Sequence, residues 1–306
     1  FLNAVPDNKL ILLDYYCDHT EIWRNTEKYY GNPYIWCYLG NFGGNTMLAG
    51  NLNDIDAKIK RLFKEGGNNV YGLGATLEGF DVNPLMYEFV FDQAWDYPLS
   101  TDQWINNWAM CRGGNQDTHI LKAWEALHQK IYTEYATCGQ SVLMNARPRL
   151  VGTKSWNTNP GIHYDNNDLW QIWKELLQAQ NISKSNYHFD VINIGRQVLG
   201  NLFSEYRDQF TDCYNRKDIT GMRDWSIRMD SLLLDVDRLL SCDTNLSIGK
   251  WLQDARECGK TTQEKDYYEE NARCILTVWG QKDTQLNDYA NRGWGGLTQS
   301  FYRERW

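Results

Sequence analysis

The hydrophobic pattern changes period near residue 100, and that change decides which folds are open to the chain. Before it, short apolar runs alternate with helical spacings. Lys9–Asp14 and Tyr34–Leu39 are apolar runs of strand length, of the kind that suits strands buried on both faces. Asn69–Thr76 is a third. Between the second and third, Ile55, Ile59, Leu62 and Phe63 recur at helical spacing. Pro84 then opens a helix carrying Leu85, Met86, Phe89, Val90 and Ala94. Proline suits a first helical turn, where its missing N–H would have had no intrahelical partner.

Strand, loop and helix in repetition predict parallel β/α units. There are only about three, and a (β/α)8 barrel has eight. Three strands leave two open edges. Either the sheet is small and open, or the rest of a barrel lies upstream of Phe1. The abrupt entry into a strand-like run, without Met or a signal peptide, favours the barrel.

Beyond residue 100 the spacing is helical throughout. Leu169, Ile172, Trp173, Leu176 and Leu177 form one stripe, with Asn166 and Asn167 as candidate caps. Val191, Ile194, Val198, Leu202, Tyr206 and Phe210 form a second, and Met222 to Leu240 carries a third. Shorter stripes join Trp104, Ile105 and Trp108; Leu127, Ile131 and Tyr135; Trp251, Leu252 and Ala255; and Tyr267, Cys274, Ile275 and Val278. The expected fold is therefore α/β plus all-α. Residues 1–100 read as the C-terminal part of a (β/α)8-type barrel, and residues 101–306 as an all-α domain of seven or eight main helices.

Composition removes several function classes. The net charge is −8 with Lys and Arg scattered, which argues against nucleic acid as a partner. No apolar run reaches the roughly 18–20 residues of a membrane span. The eight cysteines include no C-x-x-C pair and the five histidines no H-E-x-x-H, so neither a metal nor another cofactor is expected. Gly72-x-Gly74 imitates a dinucleotide fingerprint, but Leu77 occupies its third glycine position. Fourteen Trp and nineteen Tyr could stack on sugar faces or fill helix interfaces.

Several residues could carry chemistry. Glu78 follows the third strand, at the end where barrel enzymes gather catalytic groups, although a surface or helix-entry Glu would look the same. Asn41 and Asn45 flank a glycine-rich loop whose amides could bind sugar hydroxyls or simply form a turn. Asp14 and Asp18 could be acids of a site or helix caps. Trp279-Gly280 ends one helical stripe, a polar loop follows, and another helix is expected near Leu286, Asp288 and Tyr289.

Four segments in order, Ile35–Asn45, Gly72–Gly79, Leu276–Gly280 and Asp288–Asn291, closely resemble the α-N-acetylglucosaminidases of glycoside hydrolase family 89. The likeness runs from Phe1 to Trp306. It implies the last part of the family's barrel plus its all-α domain, and a retaining exo-enzyme acting on glycans with terminal α-linked N-acetylglucosamine, heparan-type or mucin-type. It also implies that Glu78 is the nucleophile and that the acid/base Glu lies upstream of Phe1, so an upstream barrel segment completes the site. Trp279, Leu286 and Tyr289 fall on the residues lining the sugar pocket. The loop before Tyr289 is one residue longer than in the human member, which bears most on Leu286. Gly40 stands where that member has His, so any contact of that His is not carried over. By resemblance the whole protein is exported: periplasmic or secreted in a bacterium, lysosomal in an animal. The competing readings are a non-catalytic fragment or sugar-binding portion, and a related glycosidase of different sugar specificity.

Overall fold

The computed structural model describes residues 2–6, 9–40, 42–79, 83–95, 99–114, 116–135, 142–151, 159–180, 182, 184–280, 283–284 and 286–306. Three strands, β1 (Leu12–Asp14), β2 (Tyr34–Tyr38) and β3 (Val70–Ala75), form a parallel sheet in that order. Leu12 pairs with Tyr34, and Cys37 with Gly74. β1 is shorter than the run Lys9–Asp14 suggests. Its partner begins at Tyr34, behind Pro33, which has no N–H to extend the ladder. Gly72 and Gly74 lie inside β3, and a Cβ at Gly74 would stand 2.9 Å from Ile35, so that glycine serves strand packing rather than a phosphate loop.

Helix α1 (Leu52–Glu65) connects β2 to β3. Asn51 caps it by accepting from the Asp54 N–H at 3.0 Å, and Leu52, Ile55, Ile59 and Leu62 are buried. Phe63, one step around the helix, is exposed. Pro84 opens α2 (Pro84–Asp92), which stops before Ala94.

The second part is helical: α3 (Thr101–Gly113), α4 (Thr118–Lys130), α5 (Asn166–Leu176), α6 (Ser185–Asn215), α7 (Ile219–Leu240), α8 (Ile248–Glu257) and α9 (Thr262–Leu276). Three details differ from the sequence reading. The cap of α5 is Asp165, whose carboxylate accepts from Asn167 N–H at 2.8 Å, while Asn166 turns toward Asn201 of α6. α4 ends at Lys130, so Ile131 and Tyr135 lie past it. Thr133–Glu134 instead pairs antiparallel with Gly50–Asn51, fastened by the Asn51 amide on the Thr133 carbonyl at 2.7 Å. On α9 the buried residues are Ala272 and Leu276, whereas Tyr267 and Ile275 are exposed and Val278 lies beyond the helix, because α9 packs on α8 along a narrow face. No helix among the described residues is long and apolar enough to cross a membrane.

Two hydrophobic cores share α6. The first joins the sheet and α1–α5 through Trp36, Ile59, Phe89, Trp104, Trp124 and Leu169, with Ile194 and Val198 of α6. The second gathers Phe203, Leu233, Val236, Trp294 and Tyr302. The change of secondary structure near residue 100 is thus no break in packing. Most of the described tryptophans fill these cores or their margins.

One buried ion pair crosses the first core. Arg112 of α3 grips Asp190 of α6 with both donors, at 2.8 and 2.5 Å, and lies 4.8 Å over the Trp108 ring. Removing one partner strands the other charge in the core, at a cost of about 3–5 kcal/mol, while an apolar pair of similar volume removes the problem. Arg112→Met is therefore expected to lower the urea-unfolding free energy by about that amount. Adding Asp190→Leu should recover much of the loss.

Candidate active site

Glu78 stands just beyond β3 with its side chain open to solvent. Its Oε2 accepts from the Gly43 N–H at 2.7 Å and from the Tyr289 hydroxyl. A backbone donor from the loop after β2 and a phenol from the far end of the chain therefore fix one carboxylate rotamer.

That convergence requires glycine. Gly43 and Gly44 have φ of +63° and +66°, the left-handed region that other residues adopt only at a cost. A Cβ on Gly43 would stand 2.5 Å from the Tyr289 carbonyl oxygen. A Cβ on Gly44 or on Gly79 would collide with the Arg292 guanidinium, which is buried. Arg292 thus occupies space that two glycines, one on each loop, leave open behind Glu78.

The third loop starts where α9 ends. The Trp279 N–H closes onto the Cys274 carbonyl at 2.7 Å, and the Asp288 N–H onto the Val278 carbonyl at 2.9 Å. Trp279 and Asp288 have φ of +57° and +61°, so strained residues mark both ends of the loop. The expected helix near Leu286–Asn291 does not form. The chain instead turns at Asp288, whose positive φ breaks a right-handed helix, and continues irregularly to Trp294. This turn sets the Trp279 ring edge-on to Tyr289, centroids 5.5 Å apart. Trp279 keeps 36% of its surface exposed and Leu286 41%, while Tyr289 is buried to 6%. Leu286 packs beside Gly280, where a Cβ would lie 3.1 Å from its own.

The structure thus brings Glu78, Trp279 and Tyr289 together, with Leu286 adjoining on the same loop. Asn41 lies outside the described residues. Asn45 has no exposed surface, and its Oδ1 accepts from the Asn291 N–H at 2.7 Å, holding the loop that carries Tyr289. Asp14 and Asp18 are buried and committed to backbone. Asp14 accepts from Trp23 N–H at 2.8 Å, and Asp18 from the Leu39 and Gly40 N–H groups at 3.0 and 3.1 Å. Burial raises the Asp18 carboxyl above its usual range against those two donors.

Sequence reasoning did not find the Gly43 N–H, Asp288, Arg292 or the arginines around Asp288. The glycine pair was the available signal for the first, and the Asp-Tyr-Ala-Asn segment for the second. Among the described residues no group of three His, Cys, Asp or Glu could hold a metal ion. Chemically, the site offers a carboxylate of fixed orientation under an aromatic and aliphatic wall. Aromatic and aliphatic surfaces of this kind can pack on the C–H face of a ring, and a carboxylate can accept hydrogen bonds or act on an electrophile.

Known proteins share this fold. Residues 1–97 match the family model of the α-N-acetylglucosaminidase tim-barrel domain, and residues 104–306 that of the α-N-acetylglucosaminidase C-terminal domain. The chain is 30% identical to human α-N-acetylglucosaminidase over its whole length and covers 41% of that protein. It superposes with a TM-score of 0.90 and 28% identity on a family 89 glycoside hydrolase from Clostridium perfringens in complex with PUGNAc, over 99% of this chain and 36% of that one. It also superposes, at 0.88 and 28% identity over 97% and 35% of the two chains, on a form of the C. perfringens protein with two Glu-to-Gln substitutions. That form is in complex with its substrate GlcNAc-α-1,4-galactose. The chain therefore spans well under half the length of these relatives. The three-stranded sheet with α1 and α2 is part of a tim-barrel domain, the helices from α3 onward are the companion C-terminal domain, and the chain belongs to the α-N-acetylglucosaminidases of glycoside hydrolase family 89.

Proposed function

We propose that this chain supplies the nucleophile and one wall of the sugar pocket to a retaining exo-α-N-acetylglucosaminidase. The observation that carries the reading is the Glu78 carboxylate held between the Gly43 N–H and the Tyr289 hydroxyl, with Trp279 packed against Tyr289. The substrate is a glycan ending in α-linked N-acetylglucosamine, heparan-type or mucin-type. That a relative was trapped with its substrate after two glutamates became glutamines supports a mechanism built on two carboxyl groups.

Retaining hydrolysis places two carboxyls about 5–5.5 Å apart across the scissile bond. The protonated one donates to the leaving oxygen. Glu78, ionised, attacks the anomeric carbon and forms a glycosyl-enzyme. Water then opens that ester, with the first carboxylate acting as base. The acid/base Glu is assigned to barrel strands upstream of Phe1. Exposed apolar residues on and beside the sheet, Ile11, Leu13, Tyr15, Tyr71 and Leu77, support an upstream segment packing there. In this reading Asn45 positions the Tyr289 loop, Asn41 stays a candidate sugar contact on sequence grounds, and Trp279, Leu286 and Tyr289 line the pocket. Residues 1–100 act as barrel and 101–306 as the helical domain.

In the complete protein, Glu78→Gln is expected to remove nearly all turnover of an aryl α-N-acetylglucosaminide without changing the circular dichroism spectrum. Retention of more than about a tenth of kcat, a barrier change under about 1.4 kcal/mol, would remove Glu78 from the nucleophile role. Trp279→Ala should weaken binding of N-acetylglucosamine-like inhibitors, read by calorimetry, while leaving the melting temperature nearly in place. The opposite pattern, intact binding with a large loss of melting temperature, would make Trp279 a packing residue. Residues 1–306 alone should show no turnover. Robust activity of that piece would place the acid/base within this chain.

A further inference from the structure

Asp288 is a buried carboxylate with no place in the mechanism above, next to Tyr289. It is 4% exposed and has a φ of +61°. Both its oxygens accept from Arg305, at 3.2 and 3.1 Å, and Oδ2 also pairs with Arg147. Its carbonyl accepts from the Asn291 amide at 2.9 Å, and its N–H is bound to Val278. Arg305 is mostly buried and Arg147 half-exposed. Arg305 lies 5.0 Å over the Phe301 ring, and the chain end beside it is pinned by the Trp306 indole on the Met144 carbonyl at 3.1 Å. Arg147 follows a short turn, Leu143–Asn145, whose Asn145 amide donates to the Asn291 carbonyl at 3.2 Å.

An ion pair around a buried carboxylate contributes little net stability compared with an apolar packing of the same volume, and in some proteins such a pair fixes one geometry for the groups it joins. A left-handed φ on a non-glycine residue likewise persists only where the surroundings over-determine it. Here the geometry imposed is that of the next residue, whose hydroxyl lies on Glu78. We propose that Asp288, gripped by Arg147 and Arg305, is a positioning residue for the hydrolysis: the ion cluster sets the turn that carries the Tyr289 hydroxyl to the Glu78 carboxylate. The proposal rests on the reading of Glu78 given above and makes the chain's last residues part of the active-site machinery.

The test is a double-mutant cycle in the full-length protein with 4-nitrophenyl α-N-acetylglucosaminide as probe. Asp288→Asn should lower kcat by about tenfold or more with KM changed by under about threefold, and Arg305→Lys should retain more kcat than Arg305→Met. In a Tyr289→Phe background the effect of Asp288→Asn should largely vanish, because both changes break the same contact. A full, independent loss in that background would make Asp288 a merely structural residue and overturn the proposal. If Asp288→Asn does not fold, Arg305→Lys carries the same cycle. A wild-type protein with no turnover would defeat the glycosidase reading instead. The clamp is then decided by a crystal structure of Asp288→Asn or Arg305→Lys, where a Tyr289 hydroxyl still seated on Glu78 would overturn it and a displaced one would uphold it.

Discussion

The hydrogen bond from the Tyr289 hydroxyl to Glu78 spans 211 residues of sequence, and much of the architecture around it is what that contact requires. Tyr289 must approach the loop after β2 so closely that Gly43 leaves no room for a side chain. Arg292, three residues on, must lie where only Gly44 and Gly79 would permit it. The Gly43 N–H then completes the grip on the same carboxylate oxygen. A strand-end glutamate by itself is a flexible surface group. Held from two directions it becomes a group of fixed aim.

Bringing Tyr289 there has a structural cost, because the chain from Asp288 to Gly296 is irregular and largely buried. Irregular buried backbone has no ladder of its own, so its polar groups must find partners one at a time. The partners come from several elements. Asn45 takes the Asn291 N–H, Thr46 the Gly293 N–H, Arg196 donates to the Gly293 carbonyl at 2.9 Å, and Asp237 accepts the Gly296 N–H at 2.8 Å. This explains why α6, the helix shared by both cores, carries so many buried polar residues. Arg196, held by the Asn193 side chain, faces the threaded segment, Gln197 reaches across to the Leu48 N–H at 2.9 Å, and Asn201 turns to Gln197 and to Asn166 at the start of α5.

The parts of the molecule legible in the sequence are those governed by period. Among the described residues, the parallel sheet and helices α1 to α9 follow from apolar spacing, and their ends are missed where a single residue decides them. Pro33 shortens β1, Asp165 rather than its neighbours caps α5, and the return of Thr133 to Asn51 stops what looked like a longer α4. The site was legible in another way. Glu78, Trp279, Leu286 and Tyr289 were candidates through family resemblance, since nothing in spacing alone links residue 78 to residue 289, and the structure brings Glu78, Tyr289 and Trp279 into contact in turn. What stayed hidden was the support. Asp288, Arg147, Arg292 and Arg305 are scattered ordinary charged residues, and only the fold gives them a common focus. Asn45, read as a candidate sugar contact, has no exposed surface and braces a loop instead.

The same geometry implies an order of dependence. Contacts between residues close in sequence, such as the α8–α9 hairpin or the turns of α6, form without closing a long loop, whereas the Glu78–Tyr289 contact must wait for both cores. The site therefore sits at the end of the structural hierarchy. Loss of order at the Asp288–Tyr289 turn would release the Glu78 carboxylate from the Tyr289 hydroxyl. Local opening of this kind lies below the free energy of global unfolding wherever a segment is held by polar contacts more than by apolar burial. The strained φ values at Trp279 and Asp288 fit such a segment. At Asp288 the strain is tolerated because Arg147, Arg305 and the Asn291 amide hold the residue from several directions, a polar clasp that the hydrophobic cores position but do not themselves provide.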